Sequence, residues 1–139
     1  MVDSPLVQRK LEKIEGYLRQ IRLKKDPGIS LFRTDRDLQS IILFNLMQSI
    51  QACMDIGAHI ISDEEWETPS SQAGIFETLA ENKIIGKPLS KKMTQMAGFR
   101  NRIVHEYEKI DLAIVHEVWR KHIKDIERFC GAVVKRYGL

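Results

Sequence analysis

Within the run Arg100-Asn101-Arg102-Ile103-Val104-His105-Glu106-Tyr107, an arginine, a histidine and a tyrosine stand at the spacing Arg-x4-His-x-Tyr. A guanidinium can clamp a phosphate through two parallel hydrogen bonds and stabilise charge that develops on its oxygens. An imidazole exchanges its proton near neutral pH and can move one to or from a ribose 2′-hydroxyl or a leaving oxygen. Together they suit metal-independent RNA cleavage, in which the 2′-hydroxyl attacks its own phosphate. Asn101 can orient the histidine or the phosphate, and Tyr107 can donate a hydrogen bond or present a modifiable hydroxyl. The rest of the chain offers little chemistry. His59 reads as a satisfied interior histidine, and His116 and His122 have no metal-ligand partners at useful spacing. Cys53 and Cys130 lack Cys-x-x-Cys or Cys/His spacing, so neither a zinc site nor a disulfide is expected.

The elements that must carry these residues are helical. Val7, Leu11, Ile14, Leu18 and Ile21 alternate steps of four and three and predict a first helix from about Pro5 to Lys25, stopped by Asp26-Pro27-Gly28. Thr34-Asp35-Arg36-Asp37 has the form of an N-cap with an acidic first turn, opening a long helix to about Ser62. That helix is apolar over most of its surface, yet Asn45, Gln48, Asp55, His59 and Ser62 fall on one polar seam. An acidic loop carrying Trp66 leads to a shorter helix ending near Asn82. Ser90 is the expected cap of a fourth helix reaching His105 or Tyr107, and Asp111 the cap of a fifth running to about Tyr137. No segment alternates with period two. The expectation is an all-α, antiparallel bundle of four to five helices forming one domain over residues 1–139.

On the fourth helix Met93, Met96, Ala97, Arg100, Val104 and Tyr107 share a face, which sets a guanidinium in an apolar row. Such a charge has to be paired or face a crevice, and Asp55 on the polar seam is the expected partner. Arg100 and His105 point about 140° apart on a straight helix. They converge if the arginine reaches round, if the helix relaxes near His105, or if a second subunit completes the pocket.

Phe99 to Tyr107, Phe-Arg-Asn-Arg-Ile-Val-His-Glu-Tyr, resembles the motif of the HEPN superfamily, in particular its HepT-like ribonuclease toxins. The segment Ala52 to Ile61 on the second helix is also typical of that group. The resemblance implies all-α homodimers whose motif residues meet in a cleft at the dimer interface, and toxins that cut RNA without metal or other cofactor. It implies Arg100 and His105 as the catalytic pair and Asn101 as a supporting residue; Asp55 joins them only through the seam. It further implies a minimal nucleotidyltransferase antitoxin as partner, able to transfer AMP from ATP to Tyr107. Some members have no demonstrated nuclease activity, so a non-catalytic helical module that engages a nucleotidyltransferase or a nucleotide is the competing expectation.

Composition sets the outer bounds. An apolar share of 43% and a charged share of 29% are those of an ordinary globular protein. The apolar runs are interrupted short of the roughly 18–20 residues a bilayer needs, and no signal peptide opens the chain. No membrane association and a cytoplasmic location are expected. A formal charge of +3 permits polyanion binding without arguing for it. Arg22, Lys24, Lys25, Arg33 and Arg36, with Lys87, Lys91 and Lys92, either border an RNA cleft or form solvated surface. The absence of interleaved aromatics favours the latter.

Overall fold

The computed structural model describes residues 1–139. Helix α1 (Ser4–Arg22) is followed by a one-turn helix α2 (Ile29–Phe32), the long α3 (Arg36–Asp63), the shorter α4 (Ala73–Glu81) and α5 (Lys87–His105). A 3₁₀ turn (Tyr107–Lys109) leads to a rod in which α6 (Leu112–Glu117) passes through a π-helical turn (Val118–His122) into α7 (Ile123–Tyr137). The expected bundle is present, with α2 added in the first connector.

Capping chemistry sets where the helices begin. Asp3 accepts from the Leu6 N–H at 3.1 Å, with Pro5 in the first turn, where its missing N–H costs nothing. Asp35 accepts from the Leu38 N–H at 3.0 Å, and Asp111 from the Ala113 N–H at 2.9 Å. The expected cap at Ser90 is not formed. Gly86 caps α5, Pro88 lies in the first turn, and Ser90 is buried inside the helix. Proline supplies the starting φ there, so the helix begins a turn earlier than a hydroxyl cap would place it.

Helix ends α3 and α4 share a different device. At α3, Glu65 takes a left-handed φ of 60°, and the Trp66 N–H bonds back to the Ile61 carbonyl at 3.0 Å. At α4, Lys83 does the same at φ 62°, and the Ile84 N–H reaches Leu79 at 2.9 Å. Each is a six-to-one closure whose following apolar residue packs on the core. Trp66 is thereby an anchor of the acidic loop.

Val7, Ile14, Leu18 and Ile21 of α1 are buried and lie along α3, which runs antiparallel to it: the Asp3 N–H donates to the Asp63 carboxylate at 3.0 Å. By length and composition α3 could cross a bilayer, a screen the interrupted apolar runs were expected to fail. Yet 61% of its most apolar stretch is buried inside the bundle. Two of its polar side chains are satisfied by the helix itself, Asn45 Nδ2 of the seam bonding the Ile41 carbonyl and Ser49 Oγ, outside it, the Asn45 carbonyl. At Gly57 the α4 helix comes so close that a methyl group would collide with Ile75 Cγ2.

The first connector is clamped to the last rod. Asp26 accepts from the Gly28 N–H (2.9 Å) and from His116 Nε2 (2.9 Å), and pairs with Arg120 at 3.2 Å. Desolvation pushes its carboxyl up, but these hydrogen bonds and the charges of His116 and Arg120 outweigh it and hold the pKa below 3.8. Phe32 lies against both His116 and Trp119, with ring centroids 5.8 and 5.6 Å away. Cys53 is fully buried; burial, followed by its hydrogen-bonded neighbour Cys130, pushes its thiol pKa well up.

Candidate active site

Helix α5 buries Met93, Met96, Ala97, Phe99 and Ile103. The apolar row continues through Phe99 and Ile103, while Val104 is left 46% exposed. Arg100 is half-buried at the edge of this face. One of its terminal nitrogens donates to Asn101 Oδ1 at 3.2 Å, and its Nε is shielded from solvent without a hydrogen-bond partner.

The expected Arg100–Asp55 pair does not form. Asp55 accepts from Gln51 Nε2 at 2.9 Å on its own helix and pairs with Lys10 of α1 at 3.4 Å. The cause is the antiparallel packing of α1 on α3, which brings Lys10 level with Asp55 Oδ2, while Gln51 of the same helix takes Oδ1. Arg100 is left to Asn101, and its remaining donors are available to another group.

His105 is the last residue of α5 and is exposed. It has no hydrogen bond to Arg100 within the chain. The helix stops because Glu106 adopts φ −131°, ψ 32°, and Tyr107 therefore opens the 3₁₀ turn instead of extending the α5 face. The phenol is 51% exposed and borders a recess of about 410 Å³ shared with Arg36, Gln39, Ser40 and Leu43 at the start of α3. That neighbourhood escaped the sequence reading, since no local spacing links the first turns of α3 to residue 107.

The geometry therefore gathers a polar cluster on the C-terminal turn of α5. A half-buried guanidinium with unused donors, a side-chain amide holding it, an open imidazole and an open phenol lie within two helical turns. The guanidinium can bind an oxyanion, the imidazole can transfer a proton, and the phenol can act as a nucleophile or hydrogen-bond donor. Within one copy the first two do not meet.

Residues 7–133 match the family model described as "Ribonuclease HepT-like". The chain is 33% identical over 130 residues to the mRNA nuclease HepT of Shewanella oneidensis, covering 94% of this chain and 97% of that protein. It is 34% identical over 113 residues to the tRNA nuclease HepT of Aphanizomenon flos-aquae, covering 79% of this chain and 75% of that one. Among solved structures, a tri-AMPylated Shewanella oneidensis HEPN toxin in complex with MNT antitoxin superposes with a TM-score of 0.86. It is 33% identical, and the match covers 96% of this chain and 98% of that one.

Proposed function

The chain belongs to the HepT-like ribonuclease family, and from that premise we propose that it is an endoribonuclease toxin that cuts by attack of a ribose 2′-hydroxyl on the adjacent phosphate. His105 moves the proton, Arg100 holds the phosphate and stabilises its developing charge, and Asn101 keeps the guanidinium in place. Asp55 acts at a distance, by fixing α1 against α3. No metal takes part. A single domain over residues 1–139 carries the activity, in the cytoplasm.

The working form is a homodimer. What supports this is the exposed apolar surface at the α5 end of the bundle: Val104 and Tyr107, and Phe44 on α3, the last 53% exposed. A second copy covering this end would bring its own Arg100 and His105 into a shared cleft, which a single copy does not assemble.

The toxin is silenced by a minimal nucleotidyltransferase antitoxin. The Tyr107 oxygen attacks the α-phosphorus of ATP, pyrophosphate leaves, and the phenol proton passes to solvent. A related toxin has been captured tri-AMPylated in complex with an MNT antitoxin. The exposure of Tyr107 outside the helix is the observation that supports it as the acceptor here.

The separation of Arg100 from His105 within one copy favours the competing reading, a helical module that binds the nucleotidyltransferase or a nucleotide without cutting RNA. Purified wild-type and His105→Ala protein are incubated with a mixed RNA pool in EDTA, and cyclic-phosphate ends are scored. Cleavage by wild type alone is expected. Folded, dimeric, unmodified wild-type protein that leaves the pool intact would establish the binding module instead.

A further inference from the structure

A second surface, separate from the motif, carries the features of an anion site. Lys92, Gln95, Phe99 and Arg102 of α5 face Ile114, Glu117, Val118 and His122 of the last rod across a groove of about 300 Å³. Its floor is made by the buried side chains of Met96, Phe99 and Val118. Its cations sit at the two ends. Lys92 and Arg102 are ten residues apart on one helix, about 15 Å along its axis.

A buried carboxylate lies behind the Lys92 end. Asp125, in the first turn of α7, is 0% exposed. Its Oδ2 accepts from His122 Nδ1 at 3.0 Å, while its Oδ1 lies 3.6 Å from Arg128 and 4.0 Å from Lys92 without a hydrogen bond. Because a carboxylate only accepts, His122 has a proton on Nδ1 toward Asp125. Burying a charge is expensive, and what this one secures is the placement of cations at the groove. His122 also closes the π-helical turn, a geometry that recurs at functional sites. Glu117 is the one acidic residue lining the groove, against Lys92 and Arg102, and Asp125 lies buried behind Lys92.

We infer that this groove is a phosphate-binding track that holds a single RNA strand running away from His105. The inference rests on the ribonuclease reading for the identity of the strand. Arg102 lies one helical turn before His105, about 4.5 Å along the axis, so a strand whose reacting phosphate is at His105 meets Arg102 next and Lys92 beyond it. The apolar floor offers a surface for sugar or base between the two cationic ends. Specificity for sequence is not built in, as phosphate contacts position a strand without reading it.

The test uses the full chain with His105→Ala, so that RNA is bound and not cut, and a fluorescein-labelled 12-mer RNA followed by anisotropy from 50 to 300 mM KCl. Each single-strand phosphate contact contributes about −0.7 to the slope of log K against log salt. Lys92→Gln/Arg102→Gln is expected to flatten the slope by about 1.4 and to weaken binding roughly 20-fold at 0.1 M salt. Arg102→Gln alone, whose side chain is exposed and supports nothing else, is expected to flatten it by about 0.7. Unchanged affinity and slope in both variants would overturn the inference. So would intact RNA binding together with lost capture of the nucleotidyltransferase, which would make the groove a protein-docking surface. Binding that depends on the groove in a protein whose wild type never cleaves would keep the track and reject the nuclease.

Discussion

Two histidines near one another in sequence occupy opposite situations. His116 is locked between Asp26, Phe32 and Trp119 and pins the first connector to the last rod. His105 ends α5 in the open, its imidazole making no hydrogen bond within the chain. The fold spends its pairing capacity on the first and leaves the second free. Asp26 and His116, fully partnered, hold the connector to the bundle, whereas the proposed site rests on side chains left with unused capacity. Arg100, Asn101, His105 and Tyr107 fall in the second class.

The largest expected effect breaks the pair apart by activity. His105→Gln is expected to lower kcat/KM on RNA by about 10²–10⁴, with the urea midpoint unchanged to about 0.5 kcal/mol. A large loss of stability in that variant would move His105 into the architectural class. His116→Ala should do the reverse, costing about 1–3 kcal/mol in urea unfolding because Asp26 loses a donor and Phe32 a neighbour. Cleavage per folded molecule should persist, and its disappearance would remove the distinction.

Acid gives a smaller effect with a defined sign. The folded-state pKa of Asp26 lies below its ordinary 3.8, so the stability it contributes is present above 3.8 and is lost as pH falls through the lower folded value. Urea midpoints taken between pH 6 and pH 2.5 should drop less steeply in Asp26→Asn than in wild type over the acid end; parallel curves would dismiss the clamp as a pH-dependent element. The smallest effect lies at a helix end remote from the chemistry. Glu65→Gly relieves a left-handed φ but frees the unfolded chain, for a net change of about a few tenths of a kcal/mol, with cleavage unchanged. A loss of cleavage there would show that the acidic loop reaches the site.

Much of this was legible in the chain. The stripes of α1 and the last rod follow directly from apolar spacing, that of α5 only as far as Ala97, and the caps at Asp35 and Asp111 from residue type. The motif announced the cluster on α5. What was not legible depended on which of several neighbours arrives first. Asp55 was a sound partner for Arg100 by charge and face, but Lys10 is brought alongside it by helix packing that no local pattern encodes. Tyr107 shares the helical phase of Arg100, yet the conformation at Glu106 takes it off the helix toward Arg36. His122 and Lys92 had no visible relation in sequence, because only the antiparallel approach of α5 and the last rod puts both beside Asp125.

Gly57 sets how near α4 can lie to α3, and α4 is also the helix on which α5 is most extensively packed. The position of the motif helix thus inherits a spacing set on a different helix by the absence of a single methyl group. In genetic terms, a search for variants that have lost toxicity would return substitutions at Gly57 beside those at His105, and the two would look alike on a plate. Only the amount of folded protein in the cell would tell a missing catalyst from a displaced scaffold.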